Sequence, residues 1–340
     1  MLRGGLLAGA VTLTLAGCGE QDPEQWRVAL EETSGGVQHE YAKRFAQEVE
    51  ERTEGAVEVS IYPYGALGDT QAVHKQLRDN AVHFAFGSSD LAQWVPEHQL
   101  FDLHYVLSDD PAVNTWALND PELLWSDTLQ QAYRDERMQL LSVVPQGWRV
   151  WSSDAPLTRP AAFEGVRVAT AESPMQQESL RVYGAQAVPV EQGGLYEALA
   201  DGAADVTELS WSRHREVGTY EFHREYTVAE HAPYLSAFLA SRWFYDRLSR
   251  SERALLREIT EDLLEWSYQM QQTVNEDRRA EIEEIANVNQ ATLDPEEQEA
   301  FRDLARPLRA IFTSRVGGDA ERLLERLLDA VDRAEEEHGG

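Results

Sequence analysis

An arginine between a predicted strand and a predicted helix start is the clearest candidate for chemistry in this sequence. Val166, Val168 and Thr170 alternate with Arg167, a spacing typical of a strand. Ser173-Pro174-Met175-Gln176 then has the residues of a helix start with a capping box. A guanidinium there can bind a carboxylate through two parallel hydrogen bonds, and the helix N-terminus adds further donors. The alternative is a surface or salt-bridged arginine on an edge strand.

The elements that must position this arginine alternate between strands and helices. In the N-terminal part, 26–30, 57–61 and 82–86 have strand patterns, and a four-residue apolar repeat predicts an amphipathic helix over 37–49. This alternation predicts an α/β sheet that binds ligands at the carboxyl ends of its strands. Ser88, directly after the third strand, is therefore a candidate site residue.

A change in composition near Gln146 predicts that the chain crosses there into a second unit. In that unit a strand over 205–209 ends close to Trp211, which is a second candidate for the site. A capping box at Ser249 then opens a helical stretch that extends to about Asn287, well beyond the ordinary length of a helix. The strongly charged helix at the C-terminus is predicted to be loosely attached.

Acidity is the most unusual feature of the composition. The net charge is −30, and the only lysines are Lys43 and Lys75. So acidic a chain argues against nucleic acid and anionic lipid as partners. It fits a salty medium, in which ions screen the repulsion between like charges. Because an acidic surface also repels anionic ligands, any anion site needs arginines of its own.

The N-terminus has the features of an export signal. Arg3 precedes an apolar run over 6–15 that is too short to span a bilayer. The run ends in Leu15-Ala16-Gly17-Cys18, which resembles a bacterial lipoprotein signal with lipidation of Cys18. The alternative is an ordinary secretory signal with an incidental cysteine. Either signal predicts an exported protein, and since Cys18 is the only cysteine, no intrachain disulfide can form.

Four stretches, in order and at the right spacing, resemble one protein family. Over roughly 26–316 the chain resembles a substrate-binding protein of the tripartite ATP-independent periplasmic (TRAP) transporters, in the dicarboxylate-binding group. The stretches are Ile61-Tyr62-Pro63 with Leu67-Gly68; Gly147-Trp148-Arg149 with Ser152-Ser153; 163–168, which resembles the family segment DLKGLKIRV; and 183–190 with 195–205, which resembles LGA.PV…VY.AL..G.VDG.E.

The resemblance implies a periplasmic-binding-protein-like α/β fold of two lobes, joined by crossing strands and by a long helix that spans both. A small solute binds in the cleft between the lobes, which close around it. The predicted divisions are a lipoprotein signal peptide over 1–17, a lipid-anchored tether over 18–25, lobe I over 26–146 with 235–275, lobe II over 147–234 with 276–316, and a charged C-terminal helix over 317–340.

The resemblance also implies which residues bind the ligand. Arg167 takes the place of the carboxylate clamp and Arg149 that of a second arginine, while Tyr196 lies in the last matched stretch. One departure concerns the polar residue with which the family contacts its ligand, since Leu209 stands there. This substitution argues mildly against a small, highly polar diacid.

Aromatic and histidine side chains near the predicted cleft have two interpretations. Trp148 and Trp211 can form a wall for a flat, apolar or cationic ligand, or they can pack in the core. His231, which precedes the last predicted strand, is a ligand contact or a structural histidine. The histidines show no spacing typical of metal ligands, so we predict no metal site.

The predicted function is that of an extracytoplasmic solute-binding protein, without catalysis or cofactor. It binds an organic acid or zwitterionic solute and delivers it to the membrane subunits of a TRAP transporter. The alternative is a lipoprotein of the same fold that presents its ligand to a sensor kinase. A third hypothesis, an anchored hydrolase, has no motif in its favour, because no serine stands in a nucleophile-elbow sequence.

Overall fold

A computed structural model describes residues 22–339, and the elements in this range are numbered in chain order. The strands are β1 Glu24–Ala29, β2 Val57–Tyr62, β3 Phe84–Gly87, β4 Met138–Ser153, β5 Arg167–Thr170, β6 Gln186–Pro189, β7 Val206–Leu209, β8 Glu225–Ser241 and β9 Asn289–Thr292. The α-helices are α1 Val37–Arg52, α2 Thr70–Arg78, α3 Pro111–Leu118, α4 Pro121–Leu124, α5 Asp127–Asp135, α6 Pro174–Arg181, α7 Leu195–Ala200, α8 Trp211–Val217, α9 Arg242–Arg247, α10 Arg250–Ile285, α11 Pro295–Ala305, α12 Leu308–Val316 and α13 Ala320–His338. Short 3₁₀ helices occupy Ser89–Gln93, Pro96–Asp102, Pro160–Phe163, Gln192–Gly194 and Thr219–Glu221.

One mixed sheet runs through the molecule in the order β2-β1-β3-β8-β4-β7-β5-β6, with β9 beside β8. At one end β1 pairs in parallel with β2 and β3, and at the other β5 pairs in parallel with β6 and β7. Between them the long antiparallel strands β4 and β8 belong to both halves. The predicted α/β fold of two lobes with crossing strands is confirmed: lobe I contains β1–β3, and lobe II contains β5–β7.

The crossing strands bend where they leave one lobe for the other. The register of β4 against β8 shifts twice between Pro145 and Val150, close to the crossing predicted near Gln146. Gly147 lies within this bend at a φ of +98°, where other residues are strained. A Cβ atom at Gly147 would lie 2.6 Å from the side-chain nitrogen of Asn275 on α10, so the position also lacks space for one. The limits of the two lobes remain a prediction.

The long helix α10 connects the two lobes on the outside. It contains 36 residues and begins with the predicted capping box of Ser249 and Glu252. Its buried face packs on α1 in lobe I and on α8 in lobe II. Asn275 connects the bend to lobe II, because it donates to the backbone oxygen of Gln146 in β4 and accepts from the backbone nitrogen of Ser212 in α8. The predicted helix spanning both lobes is therefore confirmed, and it ends at Ile285.

The C-terminal helix α13 is firmly packed, contrary to the expectation of loose attachment. Its apolar residues recur every three or four positions, and Leu323, Leu327 and Ala330 are buried to within 1%. They face α3 and α12. Arg333 adds an ion pair with Asp120 at 2.9 Å. The charged residues of α13 lie on its outer face. The total charge of a helix is therefore a poor guide to how firmly the helix packs on the rest of the molecule.

The lipidation site predicted at Cys18, with the signal peptide over 1–17, lies outside the described residues. Within residues 22–339, no helix is both long enough and apolar enough to cross a membrane.

Candidate ligand site

A cavity with about 430 Å³ of empty space, part of it open to solvent, lies between the two lobes. Both lobes and the crossing strands contribute to its wall. The lining residues are Ser88, Ser89, Asp90, Arg149, Ala169, Thr170, Ala171, Gln176, Val190, Gln192, Leu195, Glu208, Leu209 and Tyr234.

The topology explains why these residues meet. Ser88 follows β3, Thr170 is the last residue of β5, and Leu209 is the last residue of β7. In each lobe the parallel strands therefore direct their carboxyl ends at the cleft, as expected for an open α/β sheet. Arg149 reaches the same place from the crossing strand β4.

Hydrogen bonds across the cleft show that the lobes are closed around the cavity. The backbone nitrogen of Glu172 donates to Asp90 at 3.0 Å, and the backbone nitrogen of Thr33 donates to Glu216 at 2.7 Å. The hydroxyl of Ser173 donates to Asp102 at 2.6 Å. Each bond joins a residue that precedes the crossing in β4 to one that follows it.

Arg149 is only 2% exposed, and buried partners hold its guanidinium in place. Nε donates to the backbone oxygen of Pro233 at 3.2 Å, and Nη2 donates to Ser89 at 3.1 Å and to Asp102 at 3.2 Å. Nη1 has a longer bond of 3.4 Å to Glu208. Two carboxylates thus accompany one guanidinium, so this arginine brings no excess positive charge to the cavity.

Glu208 is the centre of a buried hydrogen-bond network behind the cavity. Its carboxylate accepts from Trp151 and His231 at 2.8 Å each, from Gln176 at 3.3 Å, and from Arg149. Burial alone would raise its pKa. The hydrogen bond from His231 and the guanidinium of Arg149 outweigh burial and hold the pKa of Glu208 well below its ordinary value. Glu208 is therefore a fixed negative charge in the cavity wall.

The tertiary structure also brings together three possible metal ligands that have no metal-ligand spacing in the sequence. One ligand atom from each of His104, Glu208 and His231 lies within 4.8 Å of the others. The carboxylate of Glu208 already accepts several hydrogen bonds, and the guanidinium of Arg149 lies 3.4 Å from it. An adjacent fixed cation opposes metal binding, so these side chains suit a hydrogen-bonded network better than a metal site.

The structure brings three of the predicted site residues together at the cavity. Ser88, Arg149 and Leu209 all line it. His231 lies one layer behind, fully buried, and it reaches the cavity only through its hydrogen bond to Glu208. This position agrees with the structural interpretation of that histidine.

The structure does not bring Arg167 to the cavity. It is the first residue of β5, whereas Thr170 at the other end of that strand lines the cavity. Its exposed guanidinium makes a two-pronged ion pair with Asp205, and Nη1 donates to the backbone oxygen of Gly202 at 2.6 Å. The alternative of a surface or salt-bridged arginine describes this residue, although β5 lies between β6 and β7 and is not an edge strand. The position of Arg167 does not support the role of a carboxylate clamp.

A residue-by-residue comparison with the family segment explains why Arg167 does not lie at the cavity. In DLKGLKIRV the arginine is the fourth residue after the glycine, and the fourth residue after Gly165 is Ala169. Ala169 lines the cavity. The position that corresponds to the clamp therefore has a methyl group, and Arg149 is the only arginine in the lining described above.

Three aromatic residues that were predicted to contact the ligand also lie outside the cavity wall. Tyr196 is 40% exposed and donates a hydrogen bond to Glu221 at 2.8 Å. Trp211 stacks on Tyr226 with ring centroids 4.8 Å apart, and Trp148 is paired with Pro233 in the crossing strands. None of the three is in the cavity wall. For Trp211 the structure favours packing in the core, whereas Trp148 is half-buried.

Several residues of the site were not predicted. Asp90, Thr170, Glu208 and Tyr234 line the cavity, and Glu31 lies beside it. Most of them lie at or just after the end of a strand, so the rule that ligands bind at carboxyl ends could have identified them. The burial of the acidic residues in this set could not have been anticipated, because isolated acidic residues in so acidic a chain resemble surface residues.

Comparison with known proteins shows one consistent family. Residues 28–315 match the sequence model of the bacterial extracellular solute-binding proteins of family 7. The ectoine-binding periplasmic protein of Halomonas elongata is 24% identical over 319 residues, which is 93% of each chain. The ectoine/5-hydroxyectoine-binding periplasmic protein of Ruegeria pomeroyi is 26% identical over 325 residues, which is 95% of each chain.

Solved structures agree with the sequence comparison. A TRAP periplasmic solute-binding protein of Marinobacter aquaeolei, in an open form without ligand, superposes with a TM-score of 0.84 and 32% identity, covering 89% of this chain and 99% of its own. The ectoine-binding protein of the Halomonas elongata TRAP transporter gives a TM-score of 0.85 at 23% identity, over 91% of this chain and 100% of its own. The chain belongs to family 7 of the bacterial extracellular solute-binding proteins, the periplasmic binding proteins of TRAP transporters.

Proposed function

We propose that this protein captures a small carboxylate-bearing solute in the cavity between its lobes and delivers it to the membrane subunits of a TRAP transporter. The family, and relatives named for binding ectoine, C4-dicarboxylates and sialic acid, support this function. The comparisons do not favour the alternative of a ligand-presenting protein for a sensor kinase. The family and the named relatives are binding proteins, and the protein acts by binding.

The observation that carries the proposal is the placement of Arg149. It is the only cation in the cavity lining, and its longest hydrogen bond, the 3.4 Å bond from Nη1, is the one most easily given up to a ligand. The hydroxyl of Thr170 also lines the cavity, and it is buried without a hydrogen-bond partner. A ligand carboxylate between these groups satisfies both, because buried donors otherwise lose free energy.

A thermal-shift screen tests this function. The chain from Gly19 onward is incubated with ectoine, succinate, glucuronate and other carboxylate solutes. A ligand at 100 times its dissociation constant adds about 2.7 kcal/mol of stability, which raises the melting temperature measurably.

The matched variants are Arg149→Lys and Thr170→Val, with the exposed Arg159→Lys as control. Arg149→Lys keeps the charge but loses the two-pronged geometry, so we expect the affinity of the best ligand to fall by about ten-fold or more. An unchanged affinity in Arg149→Lys, or no stabilisation by any solute, contradicts the proposal.

We further propose that the mature protein begins at Cys18 and is held at a membrane in the periplasm by lipid on that residue. The support is the sequence Leu15-Ala16-Gly17-Cys18 and the periplasmic location in the names of the relatives. In cells, Cys18→Ala is expected to move the protein from the membrane fraction to the soluble periplasmic fraction. Equal membrane association of both forms would contradict the anchor.

A further inference from the structure

The end of lobe I that lies opposite the cleft has an open groove on its surface. At this end β1 and β3 begin and β8 ends, since Phe84 of β3 pairs with Val28 of β1 and with Ala240 of β8. We call this end the base of lobe I. The groove lies between the C-terminal end of α2, the residue before β4 and the start of α9.

Basic side chains outnumber acidic ones in the wall of this groove. The wall contains the guanidinium groups of Arg78, Arg137 and Arg242 and the carboxylates of Asp79 and Asp246. The chain as a whole has the opposite balance, with 60 acidic residues and 30 lysines and arginines. Arg137 is the most available cation, because its side chain is 69% exposed and its ion pair with Asp79 is 3.9 Å long. The other two guanidinium groups have carboxylates at 2.7 Å.

Trp243 adds an exposed aromatic ring to the same groove. It is 53% exposed, whereas the other eight tryptophans, all of them within the described residues, are buried or half-buried. The guanidinium of Arg247 lies 3.7 Å from the centre of its ring. The neighbouring Phe244 packs against the buried Trp26, with ring centroids 5.2 Å apart, which fixes α9 in place. An amphipathic indole beside an arginine is typical of the interface between a membrane and water.

The start of β1 connects this groove to the proposed lipid anchor. Because Val28 pairs with Phe84, Glu24 at the start of β1 and Asn80 in the groove lie at the same end of the sheet. Glu24 is six residues from Cys18. An extended chain spans at most ~3.3–3.6 Å per residue, so a lipid on Cys18 would hold the base of lobe I within about 20 Å of a membrane surface.

We propose that the base of lobe I rests on the phospholipid surface, with Arg137 and Arg247 on headgroup phosphates and the ring of Trp243 in the headgroup layer. This inference rests on the proposed lipid anchor at Cys18. The net charge of −30 argues against attraction of the whole chain to an anionic membrane. The same charge orients the anchored protein, because the acidic remainder is repelled while the base is not. The cleft, at the other end of the parallel strands, is then held away from the lipid.

Fluorescence quenching on vesicles tests this contact. The chain from Cys18 onward has a single thiol, which couples it to a maleimide lipid in vesicles of phosphatidylcholine and phosphatidylglycerol. Lipids that carry a spin label on the headgroup quench indoles that touch the surface. We expect the wild type to lose fluorescence and Trp243→Phe to lose less than half as much. The matched control is Trp116→Phe, whose indole stacks on His338 of α13 and whose replacement should leave the quenching unchanged.

The arginine of the contact is tested with the same vesicles. Arg137→Gln removes an exposed charge from the groove and is expected to reduce the quenching of Trp243. Arg44→Gln removes a charge from the middle of α1 and should leave the quenching as in the wild type. If both variants are quenched like the wild type, the headgroup contact of Arg137 is rejected.

Equal quenching in the wild type and in Trp243→Phe overturns the lipid contact, and an acidic segment of a partner protein then becomes the occupant that the groove fits. The fractionation of Cys18→Ala in cells tests the anchor separately. If that variant stays at the membrane like the wild type, the anchor and the lipid contact are both rejected. If the anchor holds and Trp243 is not quenched, only the lipid contact is rejected.

Discussion

Arg149 and Arg167 show how position decides the use of one side-chain type. Both are associated with strands, and both were expected to meet the ligand. Arg149 is in the middle of a crossing strand, where burial among carboxylates holds its guanidinium at the cavity. Arg167 is the first residue of the short strand β5, at the end remote from the cleft, where it forms an ion pair with Asp205.

Replacement of Arg167 tests this difference. In Arg167→Ala we expect the affinity for any ligand of the wild type to stay within about two-fold, because an exposed and already paired guanidinium is screened by solvent. The melting temperature should change little. Calorimetric titration of Arg167→Ala and Arg149→Lys with the same ligand compares their affinities. A ten-fold loss of affinity in Arg167→Ala would restore Arg167 as a ligand-binding residue.

Glu32 predicts a specific pH dependence of stability. Burial, with the charge of Glu216 next, raises its pKa from 4.5 to about 8 in the folded protein. Between these values the folded protein retains a proton that the unfolded chain releases, so this group lowers the free energy of unfolding as the pH rises.

Relative to Glu32→Gln, the wild type should therefore lose about 2–4 kcal/mol of stability between pH 5 and pH 8. Urea unfolding of both proteins at several pH values measures the difference and cancels the contribution of the buried histidines. A constant difference across that range would show that Glu32 titrates normally. Glu50→Gln serves as the control for a glutamate of the same lobe.

At the scale of elements, the two crossing strands and α10 link the lobes. The bend in β4 is at Gly147, and Asn275 from α10 bonds to Gln146 in the bend and to Ser212 in α8. Arg149, which lines the cavity, is two residues from Gly147. Movement of the lobes and the position of Arg149 are therefore coupled through the same short segment, a geometry suited to hinge closure.

The firm packing of the C-terminal helix α13 leads to a prediction at the scale of elements. Leu327 on α13 is 1% exposed within the main core, so Leu327→Ala removes buried apolar volume. We expect the free energy of unfolding to fall by about 2–5 kcal/mol. Glu325→Ala, an exposed change on the same helix, should alter it by less than about 0.5 kcal/mol. If the two variants unfold alike in urea, the helix is loosely attached, as its charge suggested.

The whole molecule combines a strongly acidic surface with an acidic cavity. The net charge is −30, and the cavity wall contributes two carboxyl groups and one guanidinium. Such a protein repels simple anions at long range, and screening by salt reduces that repulsion. A solute with its own positive charge approaches without this penalty.

Salt should stabilise this protein. Between about 0.1 M and 1 M sodium chloride the Debye length falls from ~10 Å to ~3 Å, which screens the repulsion among acidic groups in the compact state. We expect the melting temperature to rise over this range. Chloride is the suitable anion, because sulfate also strengthens apolar burial. A melting temperature that falls with added chloride would mean that the surface ion pairs outweigh the repulsion.

Local patterns in the sequence determined the class of fold, the ends of several helices and the family. Alternating strands, the apolar repeat of α1 and the capping box at Ser249 depend on neighbours within a few residues, so the sequence displays them directly. The motif around Gly147 and the carboxyl end at Ser88 likewise led to true cavity residues. The tertiary structure contains these features, but they do not depend on tertiary packing.

Only the tertiary structure decided the chemistry of the site. Which end of β5 faces the cleft separates Arg167 from Thr170, although three positions are all that divide them in the sequence. Burial turned Glu31 and Glu208 from two acidic residues among many into an unpartnered carboxyl group and a fixed charge. Burial and pairing arise from contacts between distant segments, and desolvation makes those contacts strong. A single sequence does not show which segments will meet.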